Sequence, residues 1–412
     1  MDNHGAARTS RTARTEEQRQ QDLNKIGKYQ ELEESIRVRA AAENYDTTLF
    51  QLTSKLLRLN PEYYTIWNVR RRCLISGLLS GPSAGSSPSK ELPNISPSDT
   101  TNPSSDYSSP SSSDATPQGQ GSPTAGKNGI IVDDGEYITS EGDVEILNSE
   151  LDFTIPLLLE FPKCYWIWKY RKWLLEQAIV RLPTTAARKI WEAELTLASK
   201  MLTKDRRNFH AWGYRRYVVA ALESPSLGGR SMVEEEFAYT TVKISADLSN
   251  FSAWHNRSQL MLRLLEERSA DDAARKEFLK AELGFVRDAL NVGPEDQSLW
   301  YYHQYMVSQI VSYASKQAIA PALTIVERAA YVREEIDQIK DLLEDYEDVK
   351  WIYESLLEYT IALKRLGEHG NEDIHIDEPS KWLAKVRSLD PMRAGRWSDV
   401  EKQLAQIGIS IR

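Results

Sequence analysis

The sequence predicts an all-α fold in which helical hairpins stack into a solenoid. Three observations point to it: apolar residues recur at helical spacing, no stretch after about Tyr137 alternates like a strand, and a Trp-x-x-Arg motif recurs along the chain. A hairpin with one apolar face cannot bury that face alone. Similar hairpins therefore pack on their neighbours and share one continuous core.

Composition separates a tail from a long helical domain. Residues 1–20 are polar and rich in Thr, Arg and Gln, which predicts a flexible tail. Apolar residues follow a helical pattern from Leu23 onward, and Pro294 and Pro391 stand where helices are expected to begin. Residues 21–412 are therefore predicted to form a single helical-repeat domain.

A Ser/Pro-rich segment interrupts this domain at about residues 81–136. Between Gly81 and Gly126 it holds 14 Ser and 8 of the chain's 17 Pro, with hardly any large apolar side chain. Such a segment cannot bury enough surface to offset its ordering entropy, so we predict a disordered insertion. It could be phosphorylated, but a tolerated surface loop is the simpler interpretation.

Five segments align on a tryptophan, and four of them have an arginine three residues later. The last four tryptophans are 44, 42 and 46 residues apart, whereas the insertion widens the first interval to 101 residues. The motif residues are Trp67 and Arg70, Trp168 and Arg171, Trp212 and Arg215, Trp254 and Arg257, and Trp300 with His303 in place of the arginine. A weaker sixth segment centres on Trp351. Tetratricopeptide repeats are excluded because their period is about 34 residues.

The motif residues are interpreted mainly as scaffold. An aromatic residue, the tryptophan and the arginine fall at i, i+3 and i+6, so we place them on adjacent turns of one helix face. Each tryptophan is expected to anchor its hairpin by burying on the order of 200 Å². The arginine fork is expected to hold a neighbouring carbonyl or carboxylate.

Composition also excludes several classes of protein. A formal charge of −9 and a pI near 5.4 argue against a nucleic-acid binder. Cys73 and Cys164 are too few for a disulfide framework or a four-cysteine zinc site, so we expect a reducing compartment. No apolar run approaches the roughly 20 residues that a membrane span needs. Together these features predict a cytoplasmic protein without a membrane span.

The sequence holds no catalytic constellation of its own. It has no His-Glu-x-x-His, no phosphate-binding glycine loop and no recognisable Cys/His pair. The segment from His369 to His375 contains metal-ligand residue types, but its glycine and acidic surroundings favour a solvated loop. We therefore predict no metal site and no cofactor in this chain, and we assign no role to His4.

Positive charge is nevertheless concentrated beside two motifs. The basic residues are Lys163, Lys169, Arg171 and Lys172 in the second segment, and Arg206, Arg207, Arg215 and Arg216 in the third. Such a charge run, taken alone, is usually a solvated face.

The Pro-x-x-Tyr-x-x-Trp-x-x-Arg motif resembles the repeat of protein prenyltransferase α subunits, and the resemblance extends from about Thr15 to Leu404. Three features are closer to the type II, or Rab geranylgeranyltransferase, α subunits. They are His4-Gly5 followed by Thr15-Glu16-Glu17-Gln18, the early Asn60-Pro61, and the closing Leu389-Asp390-Pro391-Met392-Arg393-Ala394. The chain has no room for the immunoglobulin-like and leucine-rich additions of animal type II subunits. The resemblance implies a right-handed α-α superhelix.

The resemblance also implies a function. In that family the heterodimer transfers geranylgeranyl from geranylgeranyl diphosphate to C-terminal cysteines of Rab GTPases, and a thioether forms. The β subunit supplies a helical barrel, the zinc ion and the isoprenoid tunnel, while a Rab escort protein presents the substrate. This chain alone is therefore expected to be inactive and to hold no catalytic zinc.

In the resembled family, the positions matching Lys163, Tyr165 and His210 line the active-site rim and approach the diphosphate. Fixed donors there stabilise the charge that develops on the leaving group, so Lys163 and His210 are expected to be catalytic. Lys163 follows Pro162, and we expect it in the first turn of a helix, where the dipole favours an anion. Tyr165 is also a motif aromatic and has a structural interpretation.

Two other functions stay open at this stage. One is the α subunit that farnesyltransferase and type I geranylgeranyltransferase share. The other is a non-catalytic α-solenoid adaptor that presents a concave peptide-binding face.

Overall fold

The structure is a computed structural model that describes residues 15–80, 141–311, 318–367 and 377–409. Every regular element in these ranges is helical, which confirms the predicted all-α class. The predicted insertion at 81–136, the segment from His369 to His375, and His4 lie outside the described residues.

The described helices run in chain order and form hairpins of consecutive pairs from α2 onward. They are α1 (Glu16–Ala41), α2 (Thr47–Leu59), α3 (Tyr64–Cys73), α4 (Glu141–Glu160), α5 (Tyr165–Arg181), α6 (Thr184–Lys204), α7 (Phe209–Leu222), α8 (Val233–Ala246), α9 (Phe251–Glu267), α10 (Asp272–Val292), α11 (Gln297–Val311), α12 (Ile325–Asp341), α13 (Lys350–Arg365), α14 (Glu378–Leu389) and α15 (Ala394–Gln406). A π-helical segment, Leu74–Leu78, extends α3.

Helix α1 begins at Glu16, so it includes residues that the sequence assigned to a tail ending at residue 20. A capping box sets this start. The Thr15 hydroxyl accepts a hydrogen bond from the Gln18 backbone N–H at 3.3 Å, and the Gln18 side chain accepts one from the Thr15 N–H at 3.2 Å. This reciprocal bonding satisfies amide groups that a helix start leaves open.

The chain divides into two compact units. Unit 1 comprises the described residues up to Leu195 together with Arg216–Gly229. Unit 2 comprises Thr196–Arg215 together with the described residues from Arg230 onward. In unit 1, α2 packs on α3, α4 packs on α5, and α3 contacts α5. In unit 2, the second helices of successive hairpins, α9, α11, α13 and α15, pack in chain order.

One hydrogen bond defines the turn of every predicted motif. All five motif tryptophans are at most 3% exposed. Each indole Nε1 donates to the carbonyl oxygen six residues earlier, at 2.6 to 2.9 Å; the acceptors are Pro61, Pro162, Arg206, Leu248 and Pro294. The indole therefore joins the second helix of a hairpin to the loop that precedes it, and a buried carbonyl gains its partner.

The structure also places a sixth and a seventh motif. In the sixth, Tyr353 replaces the tryptophan, since its hydroxyl donates to the carbonyl of Glu347, again six residues earlier, at 2.7 Å. The predicted centre, Trp351, lies two residues before that position. In the seventh, Trp397 is fully buried and donates to the Asp390 carbonyl at 2.8 Å. A phenol and an indole can make the same bond, so a search for tryptophan alone misplaces the sixth motif.

Each motif arginine is buried and links its hairpin to the next one. Arg70 on α3 donates from Nε and Nη2 to the two carboxylate oxygens of Glu150 on α4, both at 2.6 Å, and from Nη1 to the Thr53 hydroxyl on α2 at 2.9 Å. The same two-pronged pairing joins Arg171 to Glu194, Arg215 to Glu236, and Arg257 to Glu282. A planar fork meets a carboxylate in one geometry, so each pair aligns consecutive hairpins.

The fifth motif has His303 in place of the arginine, and an arginine from the first helix of the hairpin binds the buried glutamate as well. His303 places Nε2 at 2.9 Å from Glu335 Oε2 and Nδ1 at 2.7 Å from the Tyr359 hydroxyl. Sixteen residues before it, where three of the other four hairpins have Ser or Thr, stands Arg287. Its Nη1 donates to Glu335 Oε1 at 3.3 Å and to Glu334 Oε1 at 3.0 Å. The guanidinium therefore comes from the first helix of the hairpin instead of the second.

Replacing this guanidinium should destabilise unit 2. Arg287→Gln leaves the fully buried Glu335 carboxylate with no cation on α10, so we expect the free energy of unfolding to fall by about 2 kcal/mol. The measurement is urea unfolding followed by circular dichroism. Lys402→Gln is the control, because its pair with Asp399 is exposed and is worth at most about 0.5 kcal/mol. Equal effects of the two variants would contradict the assignment.

Candidate functional site

Lys163 lies in the turn that precedes α5, not in the first helical turn that the sequence predicted. The Cys164 N–H donates to the Phe161 carbonyl at 3.0 Å, and Pro162 occupies the second position of this turn. Proline fixes the turn instead of opening the helix, which begins at Tyr165. The Lys163 side chain is exposed and makes no hydrogen bond or ion pair with any residue that the structure describes.

Tyr165 is the first residue of α5 and is 51% exposed. Its ring meets the Trp166 ring edge-on, with centroids 5.2 Å apart, and the Lys169 ammonium lies 5.8 Å from its centroid. Two ammonium groups and two solvent-accessible aromatic rings thus belong to one seven-residue stretch, residues 163–169, at the amino-terminal end of α5. This is the cationic, aromatic part of the candidate site in unit 1.

His210 belongs to unit 2 and is the second residue of α7. Asn208 positions it, because the Asn208 side-chain oxygen accepts hydrogen bonds from the backbone N–H groups of His210 and Ala211, at 3.0 and 3.2 Å. The imidazole is partly exposed and lies against the Phe209 ring, with centroids 3.9 Å apart. The imidazole thus lies at the amino-terminal end of this helix and is partly accessible to solvent.

The motif aromatics are exposed, although the sequence placed them on the same face as the buried tryptophans. Steps of three residues turn by about 300° each, so the first and third members of the triplet differ by about 120° around the helix. The aromatic falls at the rim of the buried face. The residues concerned, each at least 51% exposed, are Tyr64, Tyr165, Phe209 and Phe251.

Neighbouring rings continue this aromatic edge within each unit. In unit 1, the Tyr64 and Trp166 rings lie 5.2 Å apart. In unit 2, Tyr301 lies 6.4 Å from Phe251 and 6.0 Å from Trp351. Exposed aromatic residues in a row are typical of protein interfaces. The sequence signal for this edge was the aromatic residue three positions before four of the five tryptophans. Only the rotational position of that residue on its helix shows that it is exposed.

The described residues supply no evident nucleophile and no metal-ligand set. No group of three or more His, Cys, Asp and Glu side chains there could hold a metal ion. Cys73 and Cys164 are buried, and burial raises the pKa of each thiol to about 11. His303 is committed to Glu335 and Tyr359. Among the described residues, the candidate site therefore offers cations and aromatic rings but neither an exposed thiol nor a metal-ligand cluster.

None of the described helices combines the length and the apolar character that crossing a membrane requires.

Comparison with known proteins agrees with this architecture. The profile of the protein prenyltransferase alpha subunit repeat matches residues 47–76, 147–178, 191–222, 233–264 and 279–310. Each range contains one of the five predicted tryptophans.

Three proteins named geranylgeranyl transferase type-2 subunit alpha are similar over most of the chain. The one from Dictyostelium discoideum is 30% identical over 82% of this chain and 83% of its own length. The one from Candida albicans is 27% identical over 92% of each chain. The one from Saccharomyces cerevisiae is 26% identical over 71% of this chain and 68% of its own length.

The chain therefore belongs to the family of protein prenyltransferase α subunits. Within that family, the similarity is to α subunits of the type-2, or Rab, geranylgeranyl transferase, in fungi, Dictyostelium and mammals. The resemblance drawn from the motifs is thus confirmed.

Both cysteines should resist alkylation in the native protein. With pKa values of about 11, only about a thousandth of each thiol is ionised at pH 8, and both side chains are shielded from solvent. We expect mass spectrometry to detect iodoacetamide adducts on Cys73 and Cys164 only after denaturation in urea. Modification of the folded protein at the rate of a free cysteine peptide would show that one of the thiols is accessible.

Proposed function

We propose that the chain is the α subunit of a heterodimeric Rab geranylgeranyltransferase. The heterodimer would transfer geranylgeranyl from geranylgeranyl diphosphate to C-terminal cysteines of Rab GTPases. The names of the relatives support the type-2 assignment over the α subunit shared by farnesyltransferase and type I geranylgeranyltransferase. The single observation that supports the catalytic part is the exposed ammonium of Lys163, which no described residue pairs, two residues before the exposed aromatic Tyr165.

Lys163 and His210 are proposed to stabilise the leaving group. In the reaction the cysteine sulfur forms a bond to the first carbon of the isoprenoid, and the bond from that carbon to the diphosphate oxygen breaks. Negative charge therefore grows on the diphosphate. A cation or N–H donor that faces this charge lowers the barrier, since the interaction is stronger in the transition state than in the bound substrate.

The ammonium of Lys163 suits this role because nothing in the described chain neutralises it. A lysine already paired with a carboxylate would have to break that pair before it bound diphosphate. Tyr165 is proposed to line the same rim with its hydroxyl, which can donate a hydrogen bond to a phosphate oxygen.

The remaining parts of the enzyme are proposed to come from partners. The β subunit would provide the isoprenoid tunnel and a zinc ion, which supplies a bound thiolate as the nucleophile. The exposed aromatic edges of the two units are the surfaces that we assign to contact with that subunit. A Rab escort protein would present the GTPase, and the heterodimer would act in the cytoplasm.

The test is activity of the reconstituted heterodimer with Lys163→Ala or His210→Ala. We expect each substitution to lower kcat by about a hundredfold, because a transition-state interaction is lost, while the one-to-one complex still forms. Prenylation of a Rab protein with labelled geranylgeranyl diphosphate, followed by size-exclusion chromatography of the same samples, gives both readouts. Lys189→Ala, an exposed lysine of α6, is the matched control.

Three results would contradict the proposal. Prenyl transfer by the purified single chain would show that no partner is needed. An unchanged kcat in both variants would leave the chain as a non-catalytic adaptor. Activity only with farnesyl diphosphate and a farnesyltransferase β subunit would favour the shared α subunit.

A further inference from the structure

The first three motifs have a second basic residue directly after the motif arginine, and these three basic residues belong to unit 1. These residues, Arg71, Lys172 and Arg216, are called the basic column here. The fourth and fifth motifs have Ser258 and Gln304 at this position. The motif arginines point into buried ion pairs, whereas the basic column lies one residue, or about 100°, further around the second helices.

One carboxylate, Glu176, lies near two members of the basic column, Arg71 and Lys172. Glu176 accepts a hydrogen bond from the Tyr217 hydroxyl at 3.1 Å and raises the pKa of both Arg71 and Lys172 by its charge. Among the described residues, no carboxylate forms an ion pair with any member of the column. Arg71 and Lys172 thus share one neighbouring negative charge, and Arg216 adds a third positive charge beside Lys172.

Two of the three cations, Arg71 and Lys172, are already partly removed from water. The Arg71 guanidinium lies 5.5 Å from the Tyr170 ring centroid and 5.6 Å from that of Trp173, and its Nε is buried without a hydrogen-bond partner among the described residues. The Lys172 ammonium lies 4.6 Å from the Tyr217 ring centroid. Aromatic faces attract such cations but accept no full hydrogen bond from them.

The pKa shifts of Arg71 and Lys172 indicate that the charges near them are not fully balanced by carboxylates of the described chain. Burial lowers the pKa of Arg71, and Glu176 offsets only part of this effect. Burial also lowers the pKa of Lys172, and the positive charge of Arg216 lowers it further. A buried or half-buried charge without enough counter-charge is costly, and an acidic group from outside would relieve that cost.

We propose that the basic column is a docking surface for carboxylate side chains of the β subunit. This inference rests on the proposed heterodimer and adds the chemistry of one contact within it. The combination of cations and aromatic rings favours a protein surface over a small anion as the ligand. The cations lie beside the flat, half-buried rings of Trp173 and Tyr217. Aromatic and arginine side chains together are enriched at the centres of protein interfaces.

The test is the affinity of this chain for the β subunit as a function of salt. The triple variant Arg71→Gln, Lys172→Gln, Arg216→Gln should weaken association about a hundredfold at low ionic strength and should flatten its dependence on NaCl. The matched control removes three exposed lysines of the same unit, with Lys25→Gln, Lys55→Gln and Lys189→Gln, and should change the affinity by no more than about threefold. Circular dichroism establishes that both variants fold.

A second readout uses the unmodified proteins. Carbodiimide activates a carboxyl group, and an amine within reach then forms an amide with loss of water. Mass spectrometry of the cross-linked heterodimer should identify a β-subunit Asp or Glu joined to Lys172, and this product should be absent from the single chain.

The outcomes separate the two proposals. If the triple variant binds like the control and no Lys172 cross-link forms, the basic column is not part of the interface, although the heterodimer stands. If the unmodified chain does not bind a β subunit at all, the proposed function fails together with this inference.

Discussion

The buried ion pair between a motif arginine and a glutamate of the following hairpin is the interaction on which the rest of the structure depends. A guanidinium and a carboxylate that are both withdrawn from water are tolerated only when each satisfies the other, and removing one partner is strongly destabilising. Arg70 with Glu150 and Arg257 with Glu282 show the same two-pronged geometry. Because both hydrogen bonds of the pair form in only one geometry, the pair aligns consecutive hairpins. The apolar side chains of the core pack around this pair.

The ion pairs and the indole bonds together hold each motif turn in a defined position. The indole bond holds each turn against its own helix, and the ion pair holds that helix against the next hairpin. Lys163 in the turn and Tyr165 at the start of α5 can therefore stay exposed on a rigid support. Rigid placement matters for the proposed chemistry, because a donor stabilises developing charge only if it need not reorganise during the reaction.

Sequence reasoning succeeded where one local pattern repeats and failed where partners are distant. The tryptophans and arginines were found because their spacing recurs. The glutamates were missed because they stand 21 to 25 residues after the arginine in three cases and 80 residues after it in the first. Tyr353 was missed because a phenol makes the bond of an indole. Lys163 was placed in a helix because proline is common both in turns and at helix starts.

The sequence by itself determined the helical class, the hairpin unit and the family, since these follow from periodicity and from motif residues that are close together in the chain. Tertiary structure alone decided which carboxylate meets which arginine, that Arg287 places a guanidinium beside the glutamate bonded to His303, and that the motif aromatics face outward. The physical reason is that a side chain's charge and exposure depend on what packs beside it. That neighbour comes from another helix, at a distance along the chain that local spacing does not encode.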